Sequence, residues 1–554
     1  MNTITKSYTL LAMIFVYSCS DKLIIPEVEK TNGGNVTPAV PSLPLSSNMI
    51  KYRPYAFNMW DSWAIVKDDS IHLFHLQYTR DDIDYGGKNM NLRGFGHATS
   101  GNLLTWNEQK EVLDLHSGVY TNDQDFRYTG CTILHNGTYY MYYTMRKWGM
   151  QRIGLATSTD LYNWQLHANN PVLEPDPAWF ISFNAQGTGS NDPLWGDIVD
   201  CRDMVVIKDP SGNGFWGYFI AAANRSTLGS PTTVVGVAYS TDLINWMQKG
   251  IAYQPDGIAM PEMIDVFEMD GVWYMTLTTG KNNGSINLFS DPYISRAIIY
   301  AKSNTPDGLF SENFSDNVVM GGSINSGYSM RSLLYKGKRR AMYVDVNNGP
   351  SVLSLPKNVV VKNNKLRLEY ASDLMPQIRR APTSGNIEIH SQPNTSFGWW
   401  PLKGGNWTQN GTVLSCTTAN NSWQGMLLKG AMDNRELVFT VDHSSCKSYG
   451  IILSKNLTAP GLNDIPHILV IEPDKNRLYL TSNIWDVTNI RSYDFSANSI
   501  YTYRMVLMGD TFELYINDEL AFNSGLSNGK NYLAGLFANS GEITVRDIET
   551  YELW

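Results

Sequence analysis

The sequence predicts an all-β protein, a five-bladed β-propeller followed by a C-terminal β-sandwich. Three observations carry this. From Lys51 to about Ala381, short alternating or apolar segments are broken by Gly, Asn and Asp at intervals of about 8 to 12 residues, the spacing of antiparallel sheets. Within that stretch a pattern recurs: Gly96-His97-Ala98-Thr99-Ser100 with Leu103 and Trp106, Gly154-Leu155-Ala156-Thr157-Ser158 with Leu161 and Trp164, and Gly236-Val237-Ala238-Tyr239-Ser240 with Leu243 and Trp246. A weaker fourth copy, Tyr300-Ala301-Lys302-Ser303, ends in Leu309-Phe310. A strand of small residues, a turn and a Trp repeated at such intervals is what radial repetition of four-stranded sheets produces, and packing between blades is the favoured role of the Trp residues. Third, the character changes after Pro382-Thr383-Ser384-Gly385, where segments such as Glu436–Val441, His467–Ile471 and Thr511–Ile516 alternate between Asn/Gly turns as two packed sheets require.

The elements follow in order. Leu10 to Val16 form a short apolar segment after Lys6, and Val16-Tyr17-Ser18-Cys19 resembles a bacterial lipobox, so residues 1–19 read as a lipoprotein signal with Cys19 as the lipidation site. The segment is too short to span a bilayer. Residues 20–48, with Pro26, Gly33, Gly34, Pro38, Pro41 and Pro44, read as a flexible tether. Residues 49–381 are the expected propeller, 382–396 a linker and 397–554 the sandwich. Strands are expected at Ile71–Leu76, Tyr139–Tyr143, Phe215–Ile220 and Val272–Leu277; Lys67-Asp68-Asp69-Ser70 and Lys208-Asp209-Pro210-Ser211-Gly212 read as hairpin turns. Trp399-Trp400 sits where docking on the propeller is the natural use.

Composition narrows the function classes. With 43 Lys+Arg against 52 Asp+Glu the net charge is −9, which excludes an electrostatic hold on nucleic acid. Only 17% of residues are charged and 12% aromatic, with 31 Tyr and 16 Trp, a balance that favours β-structure and flat stacking surfaces for polyhydroxylated ligands. Cys131, Cys201, Cys416 and Cys446 show no metal spacing. In an exported protein they could pair, Cys416 with Cys446 first, or stay free and buried. No cofactor or metal is demanded, and the acidic loop at Asp81, Asp82 and Asp84 reads as solvated.

Three carboxylates lie singly in apolar or aromatic runs: Asp61 in Phe57-Asn58-Met59-Trp60-Asp61-Ser62-Trp63-Ala64, Asp203 after Arg202 in Val199–Val206, and Glu262 in Met260-Pro261-Glu262-Met263-Ile264-Asp265-Val266-Phe267. Such groups are costly unless paired or functional. Their order resembles glycoside hydrolase family 32, the β-fructosidases, and more loosely families 43 and 68. Met59-Trp60-Asp61-Ser62 is similar to the family's Trp-Met-Asn-Asp-Pro-Asn-Gly nucleophile motif, His72-Leu73-Phe74 with Gln77-Tyr78 to its next strand, Gly96–Ser100 to its Gly-His-Ala-x-Ser element, Arg202-Asp203 to its Arg-Asp-Pro, and Glu262–Phe267 to its Glu-Cys-Pro-Asp-Leu-Phe. Val545–Leu553 resembles the close of its C-terminal sandwich. Ser62-Trp63-Ala64, Met204 and Met263 depart from those motifs, so the likeness carries the carboxylates further than the fructose specificity.

The resemblance implies a retaining hydrolase of fructan or sucrose-like substrates, with Asp61 as nucleophile, Asp203 as transition-state stabiliser and Glu262 as acid/base. The chemistry agrees: glycoside cleavage needs one carboxyl kept neutral to protonate the leaving oxygen and one ionised to attack or to activate water. Arg202 is expected to hold a neighbouring carboxylate ionised or to form a structural ion pair; Trp60 and Trp63 are expected to face sugar or to pack between blades; Gln77 is a further substrate-binding candidate. The competing readings are a family 43-like inverting arabinosidase or xylosidase, and a surface lipoprotein that binds glycan without cleaving it. The expected location is a bacterial membrane surface, held by the lipid anchor.

Overall fold

The computed structural model describes residues 49–554 except 56, 80–93, 114–125, 148–149, 183–199, 224–232, 255–260, 281–295, 313–316, 323–326, 346–350, 381–388, 392–402, 405–406, 432, 444, 455–466, 482–486, 496–498, 510 and 527–531. Cys19, Asp81, Asp82, Asp84 and the Trp399-Trp400 pair therefore lie outside the described residues. Among those described, the chain is all-β apart from two short 3-10 turns at Met375–Ile378 and Pro473–Lys475. Among the described residues no helix is long and apolar enough to cross a membrane.

Four sheets stand separately as propeller blades. The first runs Phe57–Lys67, Ser70–Thr79, Phe95–Ser100, Thr105–Val112, with Met49–Ile50 added at its outer edge. The second holds Phe126–His135, Thr138–Lys147, Met150–Ser158 and Gln165–Leu166; the third Cys201–Lys208, Phe215–Ala222, Thr233–Ser240 and Met247–Tyr253; the fourth Glu262–Met269, Val272–Gly280, Arg296–Ser303 and Val318–Gly322. The expected count of five separate blades is not met. Tyr328–Tyr335, Lys338–Asp345, Lys357–Lys362 and Lys365–Tyr370 pair antiparallel in the same manner, but they belong to an 18-stranded network that continues into the C-terminal strands. The joint is narrow: Glu369 pairs with Glu519.

The repeated motif proves to be the connection from the third strand of a blade to its fourth. Ser100 Oγ accepts the Leu103 N–H at 2.9 Å, Ser158 Oγ that of Leu161 at 2.9 Å, and Ser240 Oγ that of Leu243 at 2.9 Å. Two residues after each Ser, the side-chain oxygen of Asn102, Asp160 or Asp242 caps the next two amides. These caps hold Leu103, Leu161 and Leu243 at φ 65°, 72° and 65°, a left-handed conformation that a leucine does not adopt unaided. The Trp residues then pack onto aromatic rings, Trp164 on Phe74 and Trp246 on Tyr142 across neighbouring blades, and Trp106 on Tyr52. Burial of aromatic area between blades is thus what the motif encodes.

The C-terminal region is β-rich and organised by two long strands, Val413–Ala431 and Leu533–Glu552, which pair with each other. Ile389–Ser391, inside the expected linker, already pairs with Val413–Ala431. One apolar cluster runs from Leu366, Tyr370 and Met375 of the preceding region into Val506, Met508, Tyr515 and Leu553. Cys416 and Cys446 are free and buried, as are Cys131 and Cys201, so the Cys416–Cys446 bridge is not formed. The Cys446 thiol instead points at the carbonyls of Ser448 and Asn539, at 3.1 and 3.3 Å.

Candidate active site

The first strand of each sheet carries the same irregularity. In Phe57–Lys67 the register passes from Met59↔Gln77 to Ser62↔His75, so Trp60 and Asp61 share one partner. In Cys201–Lys208 it passes from Arg202↔Ile220 to Val205↔Tyr218, in Glu262–Met269 from Glu262↔Thr278 to Asp265↔Thr276, and in Tyr328–Tyr335 from Tyr328↔Val344 to Arg331↔Met342. Phe126–His135 has its extra residue at Thr129. Each extra residue is a bulge, which bends the strand and re-aims the side chains beside it. Asp203, Met263 and Ser329 sit in these bulges at φ 56°, 56° and 61°. Left-handed backbone at non-glycine residues costs free energy and persists where its surroundings enforce it.

Here the surroundings are hydrogen bonds from sheet to sheet. The Thr129 hydroxyl donates to Asp61 Oδ2. Thr144 donates to the Thr129 carbonyl at 3.1 Å and accepts the Asp203 N–H at 3.0 Å. Asp203 Oδ2 accepts the Met263 N–H at 2.9 Å; the Ser329 N–H donates to Thr278 Oγ1 at 3.2 Å; and the Tyr328 hydroxyl donates to Glu262 Oε2 at 2.5 Å. The ring closes where Trp60 meets Tyr328 edge to face, centroids 5.6 Å apart. Asp61, Asp203 and Glu262 are thereby brought together from three different strands.

The electrostatics follow from this crowding. Burial, and then the charges of Asp203 and Glu262, hold the Asp61 carboxyl well above its ordinary range, against the Thr129 hydrogen bond and Arg331. Asp61 Oδ1 is buried without a partner. Burial also raises Glu262, while Arg202, the Tyr328 hydroxyl and Arg296 pull it back. The Asp61 carboxyl, which the sequence had suited to the ionised role, is thus strongly disfavoured as an anion, because it is buried and shares the site with two more carboxyls. Arg202 is ion-paired with Asp200; although burial works against its charge, Asp200, Asp203 and Glu262 hold it protonated.

The remaining candidates separate. Trp60 is partly exposed beside Tyr328, in the ring of carboxylates. Trp63 is turned the other way, into the core: it is 3% exposed, packs on Phe74 and Phe95, and donates from Nε1 to Thr132 Oγ1 at 3.1 Å. Gln77 is buried and gives its amide to Glu111 Oε2 at 2.5 Å. Thr129, Tyr328, Arg296 and Arg331 are members that sequence reasoning missed. A usable signal existed, since Tyr328-Ser329-Met330-Arg331 repeats the register of Glu262-Met263-Ile264-Asp265 at the start of the next inner strand. Among the described residues no cluster of His, Cys, Asp or Glu could hold a metal ion.

Residues 61–293, which span all three carboxylates, match the model of the glycosyl hydrolases family 32 N-terminal domain. The chain is a glycosidase whose matched part, under half of its length, resembles family 32. Solved structures agree along almost the whole length. Sucrose-6-phosphate hydrolase from Lactobacillus gasseri superposes with a TM-score of 0.64 at 14% identity, covering 92% of this chain and 93% of its own. Exo-inulinase from Aspergillus awamori gives 0.62 at 13% identity, covering 93% and 99%. A mutant β-fructofuranosidase of Bombyx mori in complex with sucrose gives 0.60 at 14% identity, covering 91% and 93%. At these identities the likeness establishes the fold of this glycosidase.

Proposed function

We propose that this glycosidase cleaves β-fructosidic bonds with retention, acting on fructan or sucrose-like oligosaccharides, with Asp61 as nucleophile, Glu262 as acid/base and Asp203 as stabiliser of the transition state. The observation that carries the reading is the meeting of these carboxylates in one buried site, with Asp61 and Glu262 both raised. A shared excess of negative charge favours one proton on the pair, and a retaining glycosidase starts from one carboxyl protonated and one not. Substrate entry would let the proton settle on Glu262, where the leaving oxygen needs it, and free Asp61 to attack the anomeric carbon. Asp203, pinned by the Met263 N–H, keeps its second oxygen for sugar hydroxyls, whose hydrogen bonds strengthen as the ring becomes oxocarbenium-like. Trp60 offers an apolar wall beside this point.

Substrate identity is tested by offering sucrose, inulin, levan and arabinan to the purified protein and following both released sugar and its first-formed anomer. Fructose released from the first three with retention supports the reading. Activity confined to arabinan, an inverted product, or binding without release would reject it.

The same reading takes Tyr328–Tyr370 as a fifth blade, since its inner strand carries the bulge of the others, and the C-terminal strands as a two-sheet sandwich. The boundaries are kept at 49–381 and 397–554 with a linker between them. The N-terminus completes it: Cys19 is acylated and holds the enzyme at a bacterial membrane, facing the periplasm or the exterior. Multiple acyl chains make such an anchor stable where one alone is marginal. Cys19→Ala should move the protein from the membrane to the soluble fraction on centrifugation; unchanged fractionation would reject the anchor.

A further inference from the structure

Glu262 is the most accessible of the three carboxylates, half-buried where Asp61 and Asp203 are buried. Among the described residues its carboxyl makes one hydrogen bond, in which Oε2 accepts from the Tyr328 hydroxyl at 2.5 Å. The phenol that donates is fixed from several sides. Tyr328 is buried and opens the inner strand Tyr328–Tyr335. The next residue, Ser329, donates its N–H to Thr278 Oγ1 at 3.2 Å, and Thr278 is the register partner of Glu262, so the strand carrying the phenol is tied to the acid's own hairpin. Trp60 meets the ring edge to face, and the Arg296 guanidinium lies 5.0 Å from its centroid. A tyrosine held by its backbone and by two side chains on its ring leaves its hydroxyl little freedom to aim elsewhere.

We propose that Tyr328 is a positioning residue for the acid/base: its hydroxyl occupies Oε2 of Glu262, so that the proton passed to the leaving oxygen is carried on Oε1. A neutral carboxyl can bear its proton on either oxygen, and a donor fixed on one of them settles which, because an O–H meets a lone pair and not another O–H. Burial, with the charges of Asp61 and Glu262, keeps the phenol protonated and able to donate. In the first step the proton leaves Oε1 for the glycosidic oxygen as that C–O bond breaks and Asp61 bonds the anomeric carbon; water then returns a proton to Oε1 as it displaces Asp61. Between the two steps Glu262 is an anion, and a hydrogen bond to a carboxylate is about twice as strong as one between neutral groups. The same contact therefore eases the change from acid to base. Around Glu262, Arg202 from the strand Cys201–Lys208 and Arg296 from the third strand of its own sheet also favour the anion, whereas Asp203 and Asp61 oppose it.

The inference rests on Glu262 being the acid/base, and a double-mutant cycle separates the two. Tyr328→Phe keeps the ring and removes the hydroxyl. With Glu262 in place it should lower turnover of sucrose or inulin by about tenfold or more with KM little changed. It should also move the basic limb of kcat/KM, which lies where the acid loses its proton, up by about one pH unit, since the anion has lost its donor. Made on top of Glu262→Gln, it should lower the residual turnover by less than about twofold, because a residue that acts through Glu262 then has nothing left to act on. If Glu262→Gln keeps turnover, the acid assignment falls and the inference with it. If Glu262→Gln is inactive while the basic limb of Tyr328→Phe stays put, or while the two losses multiply in full, the tyrosine is a packing residue and the inference alone is overturned. Should Tyr328→Phe fail to fold, 3-fluorotyrosine placed at position 328 decides: its more acidic phenol donates more strongly, so the basic limb should move down, and an unmoved limb overturns the inference.

Discussion

Asp61→Asn should lower turnover by about 10 000-fold or more on every substrate, while leaving a folded protein that melts at a higher temperature than the wild type. The first half follows from removing the atom that forms the bond to sugar. The second half follows from the sign of the shift. A carboxyl whose native pKa is raised is disfavoured as an anion in the folded chain, so the stability it contributes when neutral is lost as pH rises through that value. At neutral pH the buried carboxyl therefore destabilises relative to the unfolded chain, and an isosteric amide relieves this by about 1–3 kcal/mol. Loss of activity coupled to a gain in melting temperature is a signature that a misfolded variant does not give. Glu262→Gln should behave differently. With an aryl fructoside, whose leaving group needs no proton, the first step survives and the covalent intermediate accumulates as a burst of phenol. External azide should then rescue Glu262→Ala, because a small anion needs no general base. If Asp61→Asn retains activity, or if its melting temperature falls, the buried triad is not working as described.

Much of this site could be read from residue order, and the part that could not has a physical cause. Asp61, Asp203 and Glu262 were visible because each is a lone carboxylate in an apolar run, and each opens a strand whose hairpin partner, such as Val272–Gly280, is marked by aromatic and β-branched residues. The turn after Gly96, Gly154 and Gly236 was visible because its caps are local, two and three residues from the Ser. What could not be read depends on neighbours far along the chain. Trp60 and Trp63 look alike in sequence. They differ because Gly130, in the next sheet, leaves room for the Trp63 ring, 3.3 Å from where a Cβ would stand, whereas Trp60 meets Tyr328. Thr129 and Tyr328 are ordinary strand residues until the bulges of adjacent blades bring them against Asp61 and Glu262. The expected fifth separate sheet is not formed for a similar reason, one invisible in the local pattern: one pair, Glu369 with Glu519, extends its edge into the C-terminal strands.

That junction also contains the largest expected loss of stability. Glu513, on the C-terminal hairpin, is 3% exposed and accepts from Lys357 Nζ at 2.5 Å, from the Tyr515 hydroxyl at 2.6 Å and from the Tyr343 hydroxyl. Lys357 is fully buried, with its ammonium 4.4 Å from the centroid of the Tyr343 ring. Burial pushes the Glu513 carboxyl up, but Lys357 and the two tyrosines outweigh it and hold it below its ordinary range. Glu513→Ala would leave a buried ammonium with the Leu355 carbonyl as its hydrogen-bond acceptor, and two buried hydroxyls without their acceptor. Breaking one side of such a pair costs about 3–5 kcal/mol. Replacing both charges, Lys357→Met with Glu513→Leu, should recover most of that loss, since apolar residues of similar size need no solvation. The deficit should also shrink in acid: a lowered carboxyl contributes its stability above its unfolded value and loses it as pH falls through the native one. Lys357 follows the strand Lys338–Asp345, which pairs with the strand bearing Tyr328 and Arg331, so the lock is two strands from the chemistry. Heating should therefore inactivate Glu513→Ala at the temperature where this junction opens, with ordinary activity below it. The measurement is paired: unfolding by urea and residual activity along the same thermal ramp. A change in stability under about 1 kcal/mol would mean that solvent reaches the pair, and the C-terminal region would not be the support that these contacts make it.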